Sequence, residues 1–294
     1  MKTTMKKILM GSLLLLAGTI LQAQSFTEKI TRELAFEKKS AANTVVIDNI
    51  NGSIHVEAYT GDKVLVTVTK SIRAKTAERL EEGRKKIQLG IINDVDTLVL
   101  YTEGTCSGYG RNTDNHRSTS GQWGYSQCRE CHENYEYQLD FSLQVPADVH
   151  VSVSTINNGD IVIENMQAAS AANNINGGIK LLNLTSEARA HTINGNVDIT
   201  YARNPNRECR FYTLNGDIRA NFQKGLAANM SFESFNGELF TNIDKIEAMP
   251  AAVQQVARKD GMKFKVGDNF YKIGAGGSLL AFETFNGNVY IKEQ

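Results

Sequence analysis

The chain has 294 residues with 32 basic and 32 acidic side chains, 41% hydrophobic residues and only three prolines. Such a balance offers no clustered basic face for nucleic-acid phosphates, and the length suits one extended repeat domain or two compact ones. No Pro- or Ser-rich linker divides it, so a single domain over residues 24–294 is expected.

The first residues read as an export signal. Lys2, Lys6 and Lys7 form a basic start, Ile8 to Ile20 an apolar run, and Leu21-Gln22-Ala23 a small-residue cleavage site. The run falls short of the roughly 18–20 apolar residues of a spanning helix. Cleavage after Ala23 removes three lysines and no acid, so the mature chain carries 29 basic and 32 acidic residues, a charge of −3. No Cys follows the apolar run to carry a lipid, and no later segment is long and apolar enough to span a bilayer. The expected location is the periplasm, the outer-membrane surface or the medium.

Asn49-Ile50-Asn51-Gly52-Ser53-Ile54 opens a pattern that dominates the rest. It recurs around Asn176-Gly177, Asn194-Gly195, Asn215-Gly216, Asn236-Gly237 and Asn286-Gly287, and with one extra Asn at Asn157-Asn158-Gly159. From Asn158 the pairs step by 18, 18, 21, 21 and then 50 residues, the last gap being one period plus an insertion at about 244–272. Asn and Gly tolerate positive φ, so each pair is expected to mark a tight turn. Apolar residues alternate before the turn (Val151, Val153; Cys209, Phe211) and after it (Ile161, Ile163; Val197, Ile199), which gives two half-buried strands per unit.

Two all-β architectures fit. A solenoid stacks equivalent strands in parallel, coil on coil. The alternative is an antiparallel meander or sandwich in which each Asn-Gly closes a hairpin. The residue before each Asn is apolar in all seven units (Ile50, Ile156, Ile175, Ile193, Leu214, Phe235, Phe285). A hairpin would leave it in water; a solenoid corner can turn it inward. The solenoid is therefore expected, with Ile175, Ile193, Leu214 and Phe235 buried.

Between the first two turns lie 107 residues, close to five periods, where degenerate coils could hide. Strands are expected at 63–69, 87–92, 97–102 and 135–145, with a short helix at 76–87. A second small helix is expected at 246–258, inside the later insertion.

The Val45–Val56 segment, the later Asn-Gly units and the ending Glu283–Ile291 resemble the bacterial putative-adhesin family of exported β-strand-repeat domains of unknown function. The resemblance covers most of the mature chain and implies a β-helix-like fold and an envelope or surface location. It brings no catalytic signature.

The stretch 104–134 differs: it is rich in Gly, Ser, Asn and Tyr and holds Trp123, Cys106, Cys128 and Cys131. Cys128-Arg129-Glu130-Cys131-His132 has the C-x-x-C-H form of a covalent haem site, and zinc held by these cysteines with His116 or His132 is chemically feasible. An exported, loop-rich segment more simply uses its cysteines for a disulfide, Cys106 with Cys128 or Cys131. No cofactor is expected. Cys209, equivalent to Val151, Met230 and Leu280, is expected buried and free.

The row two residues after each Asn (Asp160, Asn196, Asp217, Glu238, Asn288) would form a polar ladder able to meet Ca²⁺ or sugar hydroxyls, although solvated turn residues are the plainer reading. His55, His116, His132, His150 and His191 are scattered, and Asp198, Asp217 and Arg219 fall on adjacent units. The reading is a non-catalytic envelope or surface module that binds an unidentified protein or glycan. The alternative is a carbohydrate-active enzyme on a β-helix, which a cleft lined by carboxylates and a basic residue would favour.

Overall fold

The computed structural model describes residues 23–111, 123–126, 133–249 and 269–294, and the backbone alone of 253–258 and 261–266. The export segment lies almost wholly outside these residues.

The N-terminal half contains β1 (Gln24–Leu34), β2 (Thr44–Asp48), β3 (Ile54–Tyr59), β4 (Val64–Ala74), α1 (Ala77–Lys86), β5 (Gln88–Asp94), β6 (Thr97–Glu103), β7 (Tyr109–Arg111), β8 (Trp123–Tyr125) and β9 (Tyr135–Pro146). The repeats follow in pairs: β10 (His150–Thr155) with β11 (Ile161–Glu164), β12 (Ser170–Asn174) with β13 (Ile179–Leu184), and β14 (Ala188–Asn194) with β15 (Val197–Tyr201). Next come β16 (Cys209–Asn215) with β17 (Ile218–Phe222) and β18 (Ala228–Asn236) with β19 (Leu239–Thr241). After them come β20 (Ile246–Ala248), β21 (Val253–Arg258), β22 (Gly261–Val266) and β23 (Asn269–Ile273), and last β24 (Leu279–Asn286) with β25 (Val289–Glu293).

The chain is all-β, in two large mixed sheets. The first runs β1-β4-β9-β3-β11-β13-β15-β17-β25-β19, the second β20-β23-β18-β24-β16-β14-β12-β10-β2-β6-β5. Both line one apolar core, a sandwich-like layout. The strands on either side of each Asn-Gly lie in different sheets, so these pairs do not close hairpins. Each strand instead pairs in parallel with its equivalent: Val151 with Ser170, Arg189 with Arg210, Val197 with Ile218. Within the two large sheets antiparallel pairing lies at the ends of the stack: β1, β4 and β9 in one sheet and β5 and β6 in the other at the first end, and β18, β23 and β20 at the last.

Period-two alternation sends Ile161 and Ile163, Ile179 and Leu181, Val197 and Ile199 into the core at 0% exposure. Each such burial contributes about 1.5–3 kcal/mol. Cys209 is buried and free, in register with Leu280, itself opposite Met230, as expected.

Three expectations are corrected. The residue before each Asn points outward: Phe235 is 73% exposed, Phe285 44% and Ile175 38%, with Ile193 and Leu214 half-buried. The strand runs straight into the turn, so alternation persists, and the inward place belongs to the residue one earlier, Thr192, Thr213 or Thr284. The described residues of 246–258 are strand rather than helix, in β20 and β21, in keeping with Pro250, which would cost a helix interior about 3 kcal/mol. The described residues of the 107-residue gap form an antiparallel cap rather than hidden coils; among them β6 and β9 extend the parallel stack, onto β2 and β3.

The strands expected at 63–69, 87–92, 97–102 and 135–145 are β4, β5, β6 and β9. The helix α1 starts where Thr76 accepts a hydrogen bond from the Arg79 amide. Lys70, 1% exposed, reaches its other end, donating to the carbonyls of Arg84 (3.1 Å) and Ile87 (3.0 Å), with Glu28 at 3.3 Å. The final unit is out of chain order: β24 and β25 sit between the β16–β17 unit and the β18–β19 unit that precedes them in sequence.

Candidate functional site

The Asn-Gly turns stack into a continuous edge. Asn236 donates its amide to Asn286, Asn286 to Asn215, Asn215 to Asn194, Asn194 to Asn176 and Asn176 to Asn157, each at 2.8–2.9 Å. Beneath them Thr155, Thr192, Thr213 and Thr284 donate to the carbonyls of Gly52, Gly177, Gly195 and Gly216. The glycines are needed for close approach more than for positive φ. A Cβ on Gly195 would lie 2.2 Å from the Gly177 oxygen, and one on Gly216 would lie 2.1 Å from the Gly195 oxygen. Asn51 and Gly52 open the stack, Gly52 at φ 127°, and Asn158, the extra residue of its unit, is left-handed at φ 61°. Turns Gly159 and Gly237 obey the same close packing against Gly52 and Gly287.

The polar row beside this edge is engaged in the fold. Asp160 accepts from the Gly178 amide, Asn196 from Asp217, Asp217 from Asn288, and Asn288 from Glu238. Among the described residues no group of three or more His, Cys, Asp or Glu is placed to hold a metal ion. Asp198 and Asp217 are brought together, but around Arg219, at 3.6 and 2.6 Å, whose guanidinium also lies over Tyr290.

On the outer face of the second sheet, side chains are arrayed with none of the described residues packed over them. Parallel register sets them in rows two residues apart along the strands. One row is Ser152, Ala171, Arg189, Arg210, Ala281. The next is Ser154, Asn173, His191, Tyr212, Glu283. The third is the apolar row from Ile156 to Phe285. His191 stacks on Tyr212 with centroids 4.5 Å apart, and a groove of ≈ 490 Å³ opens among Asn173, Arg189, His191, Arg210, Tyr212 and Glu283. Partial burial lowers the His191 pKa, so the imidazole is neutral at pH 7.

The described residues of the 104–134 stretch, 104–111 and 123–126, pack beside β2 and β6. Trp123 packs on Val46 and Val99, and Tyr109 stacks on Tyr101 at 4.2 Å. Tyr125 donates its hydroxyl to the Asp48 and Thr102 carbonyls and accepts from the Thr102 amide. Cys128, Cys131, His132 and His116 lie outside the described residues.

Sequence reading missed a second site. Where the loop rejoins β9, a cleft of ≈ 470 Å³ is lined by Arg73, Glu133, Tyr135, Glu136, Tyr137 and Gln138 among others. Burial raises the Glu133 pKa against the Cys106 amide and Lys86, and desolvation pushes Tyr135 up to about 12. The acid-rich run Glu133–Glu136 was its only visible signal.

No family model matches the chain, and no curated protein matches it. Among solved structures it is similar to a putative cell adhesion protein from Clostridium sporogenes, at 11% identity and TM-score 0.43 over 92% of this chain and 100% of that one. It is also similar to a putative adhesin from Bacteroides fragilis, at 12% identity and TM-score 0.35 over 91% and 97%. A putative lipid-binding protein from Parabacteroides distasonis follows, at 8% identity and TM-score 0.27 over 90% and 97%. At these identities and scores the likenesses carry no function to this chain. Among the described residues no helix is long and apolar enough to cross a membrane.

Proposed function

We propose that this chain is a non-catalytic, exported module of the cell envelope or surface, of the adhesin-like kind its repeat resembles. Its Asn-Gly units form a solenoid built of two facing sheets, and it binds an envelope protein or glycan through the outer face of the second sheet. The in-register, uncovered rows of that face, with the groove beside stacked His191 and Tyr212, carry this reading. Parallel pairing of equivalent strands supports the solenoid, and the basic-then-apolar start of the sequence supports export. The test is affinity capture from envelope fractions with the mature protein and its Tyr212→Ala variant. Capture that depends on Tyr212 supports the reading. Equal capture by both forms removes the face from it.

One observation favours a second reading. The cleft with Glu133, Glu136 and Arg73 is of the kind a carbohydrate-active enzyme uses, and a carboxyl whose pKa is raised by burial is a general-acid candidate. Release of reducing ends from envelope polysaccharides, abolished in Glu133→Gln, would establish it and overturn the non-catalytic reading.

A further inference from the structure

Arg189 and Arg210 are in-register partners on adjacent parallel strands, with side chains on the same outer face. Strands lie about 4.8 Å apart, and like charges directly opposite one another are destabilising. Arg210 is paired with Glu208, just ahead of its own strand. The Arg189 side chain makes no hydrogen bond or ion pair with the described residues, and the residue is exposed. Nothing in the packing calls for this second guanidinium. The positions flanking the pair, Ala171 and Ala281, are small, and that leaves the groove open beside it.

Two residues along the strands the face changes character. Asn173, His191 and Tyr212 offer uncharged hydrogen-bonding groups, followed along the row by Glu283 and Glu233. Two residues further lie Ile175, Ile193, Leu214 and Phe285, an apolar track. Among the described residues of this face, one free cation, then neutral donors and acceptors, then a flat apolar strip form the complement of a sugar acid: one carboxylate, several hydroxyls and a C–H face. A guanidinium meets a carboxylate in bidentate geometry, which a lysine could not match. Glu208 already occupies Arg210 and Glu283 lies beside the groove, so a uronate chain is held here through one carboxylate, at Arg189.

We propose that this groove binds a saccharide carrying carboxylates, with Arg189 holding the carboxylate and Asn173, His191 and Tyr212 its hydroxyls. The neutral state of His191 leaves its ring able to accept as well as donate. This deepens the binding-module reading and rests on it.

The test is calorimetric titration of the full mature chain with a panel of oligouronates and with their methyl esters, which keep the hydroxyls and lose the charge. The acids are expected to bind about tenfold more tightly than the esters, and Arg189→Ala to remove that difference while Arg189→Lys restores part of it. Lys180→Ala, on the other sheet, serves as the unchanged control. Equal binding of acid and ester, unchanged binding by Arg189→Ala, equal binding of polyglutamate, or no binding of any oligouronate would each overturn the proposal. If envelope capture still depends on Tyr212 when oligouronates fail, only the ligand class falls; if that dependence is absent too, the binding face falls with it.

Discussion

Tyr109, in the loop that interrupts the repeat, donates its hydroxyl to the Asp48 carboxylate at 2.5 Å, while Ser154 holds the other oxygen at 2.6 Å. Two segments that sequence reading treated separately, the Cys-rich loop and the first repeat, are thus joined through one buried acid. Burial raises the Asp48 pKa, and the two hydroxyls only partly oppose that. A raised folded-state pKa favours the protonated form on folding. The associated stability is therefore present below the unfolded value near 3.8 and is lost as pH rises through the folded value. Urea unfolding of the wild type should show this component as a loss of stability that begins as pH rises above about 4. Asp48→Asn should flatten it. An unchanged pH profile in that variant would show that the titration belongs elsewhere.

The two ladders along the corner should differ in worth because one is dry and the other wet. Thr213→Val keeps the buried volume but leaves the Gly195 carbonyl without its 2.8 Å donor, which should cost about 1–3 kcal/mol. Asn194→Ala removes two amide bonds, yet the side chain is exposed and water replaces them, so about 1 kcal/mol or less is expected. Denaturant midpoints compared at constant slope decide the order. A larger loss in Asn194→Ala would mean that the amide ladder, and not the threonines, holds the units in register.

Gly195→Ala should be harsher than an ordinary surface change. Its Cβ would meet the oxygen and carbon of Gly177 at 2.2 and 2.5 Å, both backbone atoms of the neighbouring turn. The expected loss is at least roughly 1–3 kcal/mol, with thermal unfolding as the readout. Gly225→Ala, where a Cβ would meet nothing within 4 Å, separates the two possible causes, because there the cost comes from φ 81° alone.

The mature protein should begin at or near Gln24 on N-terminal sequencing, and a form retaining Met1 would contradict export. In that protein Cys106 should pair with Cys128 or Cys131, closing 22–25 residues and restricting the unfolded chain by roughly 3 kcal/mol. Non-reducing peptide mass mapping and visible absorbance check this together. A haem-sized mass on the Cys128–His132 peptide with a Soret band would replace the disulfide by thioether bonds.

The sequence by itself determined the repeat, its two strands per unit and the inward side chains, because a stacked unit must present the same alternation at the same place every time. Val197 and Ile199 could be placed in the core by counting alone. The direction of Ile175 and Phe235 could not be decided that way, since a corner can keep or break the alternation. It was settled by the threonine one residue earlier, whose hydroxyl satisfies a buried glycine carbonyl in the adjacent unit. The role of the glycines likewise depended on how closely two turns approach, which is a distance between residues 18 or 21 apart. Tertiary structure alone decided that the last unit lies between two earlier ones, and that Arg189, His191 and Tyr212 share one open face. Strand order is a choice among near-identical pairings, and near-identical units cannot announce in sequence which neighbour each will take.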